Sequence, residues 1–175
     1  EKTLKNISIV FKSNNQFSQD IYINNQCVTK YIRSQEISNI VASIASISEV
    51  REFLVREQRK FGACGGLVAE GRDIGTKVFP NAELKIFLTA SIDERAKRRK
   101  IELENNGNLE INFEELKDQI RERDLTDSKR KVSPLKKAKD AVEINTDGYS
   151  IDAIVKKIVN LYDEKIPEEV KNIIK

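Results

Sequence analysis

The sequence predicts an α/β protein: a mostly parallel sheet flanked by helices, with a small antiparallel hairpin-plus-helices unit in front of it. Three observations predict this. Strand-forming runs and amphipathic helical patterns alternate from residue 66 to residue 163, and such alternation implies parallel strands joined by helical crossovers. Residues 1–62 instead carry two short alternating runs and then two helical patterns. Finally, Gly66-Leu-Val-Ala-Glu-Gly-Arg-Asp-Ile-Gly-Thr76 reads as a buried strand that delivers Gly71, Arg72 and Asp73 together. Open parallel sheets bind ligands at the carboxyl ends of their strands, and glycine there lets a backbone approach a phosphate.

Each element has its own signal. Leu4–Phe11 and Asp20–Asn24 are expected as two strands of a hairpin, with Ile7, Ile9 and Phe11 alternating against Ser8 and Val10 and the polar run Lys12–Gln16 between them. After Tyr31–Ser34, the residues Ile37, Ile40, Val41 and Ile44 fall at i, i+3, i+4 and i+7 of a helix. Ser48 is expected to cap a second helix carrying Val50, Phe53, Leu54 and Phe61, ended by Gly62, Gly65 and Gly66. Leu84–Ala90 is a second strand of the sheet. Ser91-Ile-Asp-Glu94 forms a capping box that starts a helix running towards Gly107, and Asn112–Glu115 opens another that Ser133-Pro134 ends. Ala141–Asn145 is the last strand, and from Ser150 a helix places Ile151, Ile154, Val155, Ile158, Val159 and Tyr162 on one face.

Bulk properties narrow the function. A chain of 175 residues can bury a real core without disulfides. Cys27 and Cys64 fit no metal-ligand spacing, and no histidine exists to complete a transition-metal site, to act as the commonest general base or to activate a nucleophile. Carboxylates and arginines must therefore carry any catalysis, in what reads as a reduced, cytoplasmic chain. No apolar run reaches the roughly 18 residues of a membrane span. The charged residues nearly cancel to a net +3, which argues against a dedicated DNA binder.

Arginines cluster twice. Arg95, Arg98 and Arg99 crowd the start of one helix with Lys97 and Lys100, and Arg121, Arg123 and Arg130 bracket Asp124 and Asp127 on the next. On a helix Arg123, Asp127 and Arg130, at i, i+4 and i+7, project from one face. Guanidinium groups bind phosphate oxygens in bidentate fashion, and a carboxylate between them suits sugar hydroxyls. The competing reading of each cluster is a salt-bridge ladder on a solvated face.

Arg51, Glu70-Gly-Arg-Asp-Ile-Gly-Thr76, Phe79-Pro80, Leu84–Ser91, Glu94–Arg99, Glu122-Arg-Asp124, Asp127, Arg130 and Ser133-Pro-Leu135 follow in an order that resembles bacterial-type cytidylate kinases. The likeness spans roughly residues 30 to 165 and extends through the hairpin, which is similar to the extra piece of the nucleoside-monophosphate (NMP)-binding domain in such enzymes. It implies a P-loop NMP-kinase-like fold divided into an NMP-binding domain over 1–62, a core sheet over 63–90 and 140–166, lid and acceptor helices over 91–135, and a C-terminal tail over 167–175. It further implies Arg51 and Asp73 against cytosine, Arg72 and Arg130 on the acceptor phosphate, and Arg123 and Asp127 on the acceptor's phosphate and sugar side. Arg72, Arg123 and Arg130 would be catalytic, and Arg95, Arg98 and Arg99 would begin the lid over the ATP donor. The implied partners are CMP or dCMP and ATP with Mg²⁺, without nucleic acid or membrane and with a monomeric chain. No residue here is expected to ligate a metal.

Two departures accompany the resemblance. The family's base-contacting serine corresponds to Ala42, with Ser43 one residue away. The Gly-x-x-x-x-Gly-Lys-Ser/Thr loop that cradles ATP phosphates does not occur in the 175 residues. The chain is therefore expected to be the acceptor-and-lid portion of a CMP kinase, lacking roughly the first quarter and inactive alone. The rival reading is a non-catalytic nucleotide- or RNA-binding α/β module, which aromatics at 6% of the chain serve poorly for base stacking.

Overall fold

The computed structural model describes residues 4–13, 19–105, 112–130 and 132–166. Residues 14–16 of the polar run expected between the two strands, the stretch around Gly107 and the tail expected over 167–175 fall outside the described residues. The chain divides into two compact units, Glu1–Leu67 and Val68–Lys175.

In the first unit three antiparallel strands, β1 (Ile9–Ser13), β2 (Gln19–Ile23) and β3 (Gln26–Cys27), lie in sequence order. Ile9 pairs with Ile23 and Phe11 with Ile21. The third strand lies beyond the expected hairpin. It is made by Asn24 and Asn25, whose φ values of 48° and 69° suit a two-residue hairpin loop that favours Asn. Leu4–Asn6 forms a 3-10 turn where the alternation suggests strand.

Helix α1 (Gln35–Ala45) is capped by the Ser34 side chain, which accepts from the Ile37 amide. Helix α2 (Ser48–Phe61) starts where expected, but Ile47 occupies the cap position and makes no side-chain cap bond, so Ser48 is the first helical residue instead of the cap. Phe61 meets Phe11 edge-to-face with ring centroids 4.9 Å apart, and Val55 is buried.

The second unit is built around two parallel strands, β4 (Ile86–Thr89) and β5 (Val142–Asn145), with Ile86 opposite Val142 and Thr89 opposite Asn145. The two capping residues expected here, Ser91 and Asn112, both cap, and Ser150 caps the last helix as well. Glu94 N–H donates to Ser91 Oγ, Asn112 Oδ1 accepts from the Glu114 and Glu115 amides, and Ser150 Oγ accepts from the Ala153 amide. They open α3 (Ile92–Asn105), α4 (Phe113–Lys129) and α5 (Ile151–Lys165). Val78, Ala96, Leu116, Ile144, Ile154 and Ile166 form the buried core. Along α5 the apolar stripe is only partly covered, with Ile154 buried while Ile151, Val155 and Val159 stay exposed.

The expected strand at 66–70 is absent. Leu67 is 45% exposed and Val68 99% exposed, and among the described residues no backbone hydrogen bond reaches residues 66–70. An apolar run becomes a strand only where a neighbour supplies a ladder, and no strand lies beside this one among the described residues. No helix among the described residues is long and apolar enough to cross a membrane.

Candidate functional site

The segment after residue 70 is folded by a tight turn. Gly71 has φ 156°, and a Cβ there would come within 2.9 Å of Ile74 Cγ1, so a side chain would force a shift. Residues Ile74–Val78 form a single π-turn. The Asp73 carbonyl accepts from the Thr76, Lys77 and Val78 amides, and the Ile74 carbonyl accepts from Phe79 N–H. Asp73 is 3% exposed, so the turn presents it from inside the unit.

Arg72 leaves the same turn and its Nε stands 3.0 Å from Asp127 Oδ2. Arg130 donates to the other oxygen, Oδ1, at 2.5 Å. Asp127 is 7% exposed, so two guanidinium groups share one buried carboxylate. Helical spacing predicts Arg130 on the helix; α4 in fact ends at Lys129, and Arg130 is its C-cap with extended ψ of 135°. The chain then turns back through Ser133, at φ 53°, so that Leu135 N–H caps the Asp127 carbonyl. Arg130 thus reaches Asp127 from a turn, not from the helix face. Arg123, one turn earlier on α4, is exposed and has no ion-pair partner among the described residues.

The first arginine cluster is engaged internally. Arg95 grips Asp124 with both terminal nitrogens, at 3.0 Å and 2.6 Å, joining α3 to α4. The hydrogen bond to Asp124 raises the Arg95 pKa further, so it stays charged. Arg98 pairs with Glu94 at 3.0 Å and donates to both the hydroxyl and the carbonyl of Thr146, which is buried just after β5. Arg99 pairs with Glu102 at 2.7 Å on the solvated side of α3. Lys117, half-buried, bridges Asp93 and Glu114, and its hydrogen bond to Asp93 raises its pKa.

The structure therefore brings Arg72, Asp127 and Arg130 together in the second unit, beside the turn that carries Asp73. Arg51 lies on α2 in the first unit, half-buried. Ser43, next to Ala42 on α1, donates to the Ile40 carbonyl at 2.8 Å. Sequence reasoning missed Thr146 and the buried Lys85 with its exposed partner Asp140. Lys85 was visible as a lone charge entering an apolar strand run; Thr146 carried no signal. Among the described residues no group of three or more His, Cys, Asp or Glu could hold a metal ion.

A family model described as Cytidylate kinase matches residues 1–164. The relatives include a "Bifunctional pantoate ligase/cytidylate kinase" of Prochlorococcus marinus subsp. pastoris (strain CCMP1986 / NIES-2087 / MED4), 67% identical over 171 residues that make up 98% of this chain and 34% of the relative. A protein of the same name from Prochlorococcus marinus strain AS9601 is 65% identical over 97% of this chain and 33% of its own length. Another from strain NATL1A is 52% identical over 95% of this chain and 32% of its own length. The chain spans about a third of the length of the curated relatives it matches.

Proposed function

The chain belongs to the cytidylate kinase family, and from that premise we propose that it supplies the acceptor and lid parts of an enzyme that transfers the γ-phosphoryl of ATP to CMP or dCMP. The observation that carries this reading is the pair of arginines, Arg72 and Arg130, held on the single buried carboxylate of Asp127. A nucleoside monophosphate offers what such a cluster lacks. Its phosphate dianion takes the two guanidinium groups in bidentate contacts, and its sugar hydroxyls donate to the freed Asp127. Arg123 joins from the exposed side of α4, while Asp73 and Arg51 are the proposed cytosine contacts.

Phosphoryl transfer asks the protein mainly to neutralise charge, align two oxygens and exclude water. Arg72, Arg123 and Arg130 do the first for the acceptor, and Arg95, Arg98 and Arg99 are proposed to do it for the donor after exchanging their present carboxylate and Thr146 partners. Mg²⁺ would enter with the donor phosphates. A phosphate-gripping Gly-x-x-x-x-Gly-Lys-Ser/Thr loop is not among the 175 residues, so the chain by itself is expected to bind CMP without turning it over. We place it in the cytoplasm as a monomer.

A coupled assay of ADP formation tests the reading. The full-length protein turns over CMP with ATP, and this chain alone shows no turnover while calorimetry still records CMP binding. Absence of CMP binding by both would overturn it.

A further inference from the structure

Lys85 is a buried ammonium with no role in the proposed chemistry. Its side chain is 6% exposed, yet its Nζ both donates to the Pro80 carbonyl and lies 2.6 Å from Asp140 Oδ2, whose own side chain is 60% exposed. Its methylenes pass directly under the π-turn. A Cβ placed on Gly75 would sit 3.4 Å from Lys85 Cδ and 3.6 Å from Cγ. One side chain therefore touches the middle of the 74–78 turn, the start of the loop that follows it, and the residue that leads into the last strand.

With Lys85 buried and Asp140 60% exposed, the pair holds the lysine head in one place more than it adds to stability. The geometry so held is that of Asp73. The Asp73 carbonyl anchors the start of the turn through three amides, and the Pro80 carbonyl, two residues beyond its last member, is anchored by Lys85. Val78 is 1% exposed beneath it, so the turn has little room to settle elsewhere. With both ends tied and Gly75 resting on the lysine stem, Arg72 and Asp73 enter the site from a clasped segment in place of a loose loop. The Lys85 ammonium itself is taken up by the Pro80 carbonyl and Asp140.

We infer that Lys85 is a positioning residue for the acceptor nucleotide: clasped to Pro80 and Asp140 under Gly75, it sets the height and direction of the turn that presents Arg72 and Asp73. The inference rests on the acceptor-site reading above. Its signature is a loss confined to the acceptor, since the Lys85 side chain engages Pro80, Asp140 and Gly75 and not the arginines proposed for the donor.

Steady-state kinetics of the full-length protein test it, with Lys85→Met, Lys85→Arg, Asp140→Asn and, as the reference for the site itself, Arg72→Ala. Lys85→Met keeps the stem under Gly75 and removes the ammonium. It is expected to raise KM for CMP by about tenfold or more, since sub-ångström misplacement of a positioning group is costly, with KM for ATP and kcat at saturating CMP changed less than about twofold. Lys85→Arg, which can still reach Pro80 and Asp140, restores most of the CMP affinity. Asp140→Asn, at an exposed position, shifts KM for CMP in the same direction by less, and it carries the test if Lys85→Met does not fold. Unchanged KM for CMP in Lys85→Met, or in Asp140→Asn where Lys85→Met is unfolded, beside a raised KM in Arg72→Ala overturns the inference and leaves the acceptor site standing. Equal losses for CMP and ATP assign Lys85 to general stability and overturn it too. An Arg72→Ala protein with wild-type CMP kinetics removes the acceptor-site reading, and the inference with it.

Discussion

Arg72 and Asp127 meet at 3.0 Å although 55 positions of sequence separate them, and Arg130 closes on the same carboxylate from the other side. The arrangement makes Asp127 the counter-ion of the two groups proposed to take the acceptor phosphate. Asp127→Asn keeps the shape and removes the charge, leaving two guanidinium groups facing an amide. Breaking a buried pair costs about 3–5 kcal/mol. Because the Arg72 side chain is 41% exposed and partly screened, the expected loss is about 1–3 kcal/mol. Urea unfolding checks it. A midpoint unchanged from the parent protein would mean that the cluster contributes nothing to folding.

Arg72 and Arg123 are expected to separate in their effects. Arg123 is exposed with no ion-pair partner among the described residues, so Arg123→Ala should leave stability within about 0.5 kcal/mol. Its CMP affinity should still fall by an amount typical of one charge-assisted contact, about 1.5–3 kcal/mol. Arg72→Ala should lower both stability and affinity. Calorimetric CMP titration beside thermal melting distinguishes the two residues, and an Arg123→Ala protein with full CMP affinity removes Arg123 from the acceptor site.

Helices were legible because their ends are chemical: Ser91, Asn112 and Ser150 each cap where a side-chain oxygen precedes an acidic or apolar first turn. The strands β4 and β5 were legible as short runs of strand formers. The 66–70 run failed because its composition describes only what would be buried if a neighbour existed, and pairing is decided by residues elsewhere in the chain. The candidate site's arrangement was half legible. Glu70-Gly-Arg-Asp73 and the Arg123, Asp127, Arg130 spacing stood out, but helical spacing put Arg130 on α4, whereas the backbone leaves the helix at that residue. Arg95 looked available for a donor phosphate, and only the folded arrangement of α3 against α4 reveals that Asp124 holds it.

That Arg95–Asp124 contact is a measurable coupling. The two side chains are about a third exposed, 33% and 32%, and the contact is bidentate. A double-mutant cycle with Arg95→Ala and Asp124→Ala should return a coupling of about 0.5–1 kcal/mol, at the upper end for a partly exposed pair and reduced by salt. If Arg95 exchanges Asp124 for the donor phosphates, Asp124→Ala should leave KM for ATP equal to the parent's or lower it. A raised KM for ATP in that variant would show that Arg95 needs Asp124 in order to face the donor.

On the proposed reading Asp73 faces the base of the acceptor. A carboxylate accepts a hydrogen bond from the exocyclic amino group of cytosine and repels the carbonyl oxygen that uracil has in its place. Asp73→Asn offers a donor as well as an acceptor, so the ratio of kcat/KM for CMP over UMP should fall by about tenfold or more. Competition kinetics with both nucleotides checks this. A ratio equal to the parent's would take Asp73 off the base.

Asp140 gives the pH dependence a sign. The hydrogen bond from Lys85 holds its carboxyl below the usual carboxylate range. A carboxyl whose folded value is depressed stabilises the fold at every pH above its unfolded value, about 4, and that contribution is lost as pH falls through the lower folded value. The parent protein should therefore be more stable than Asp140→Asn at pH 7 and at pH 5, with the gap closing below about pH 4. Melting midpoints of the two proteins at pH 7, 5 and 3 decide it. A gap that stays constant down to pH 3 would show that the ion pair with Lys85 is not what Asp140 contributes.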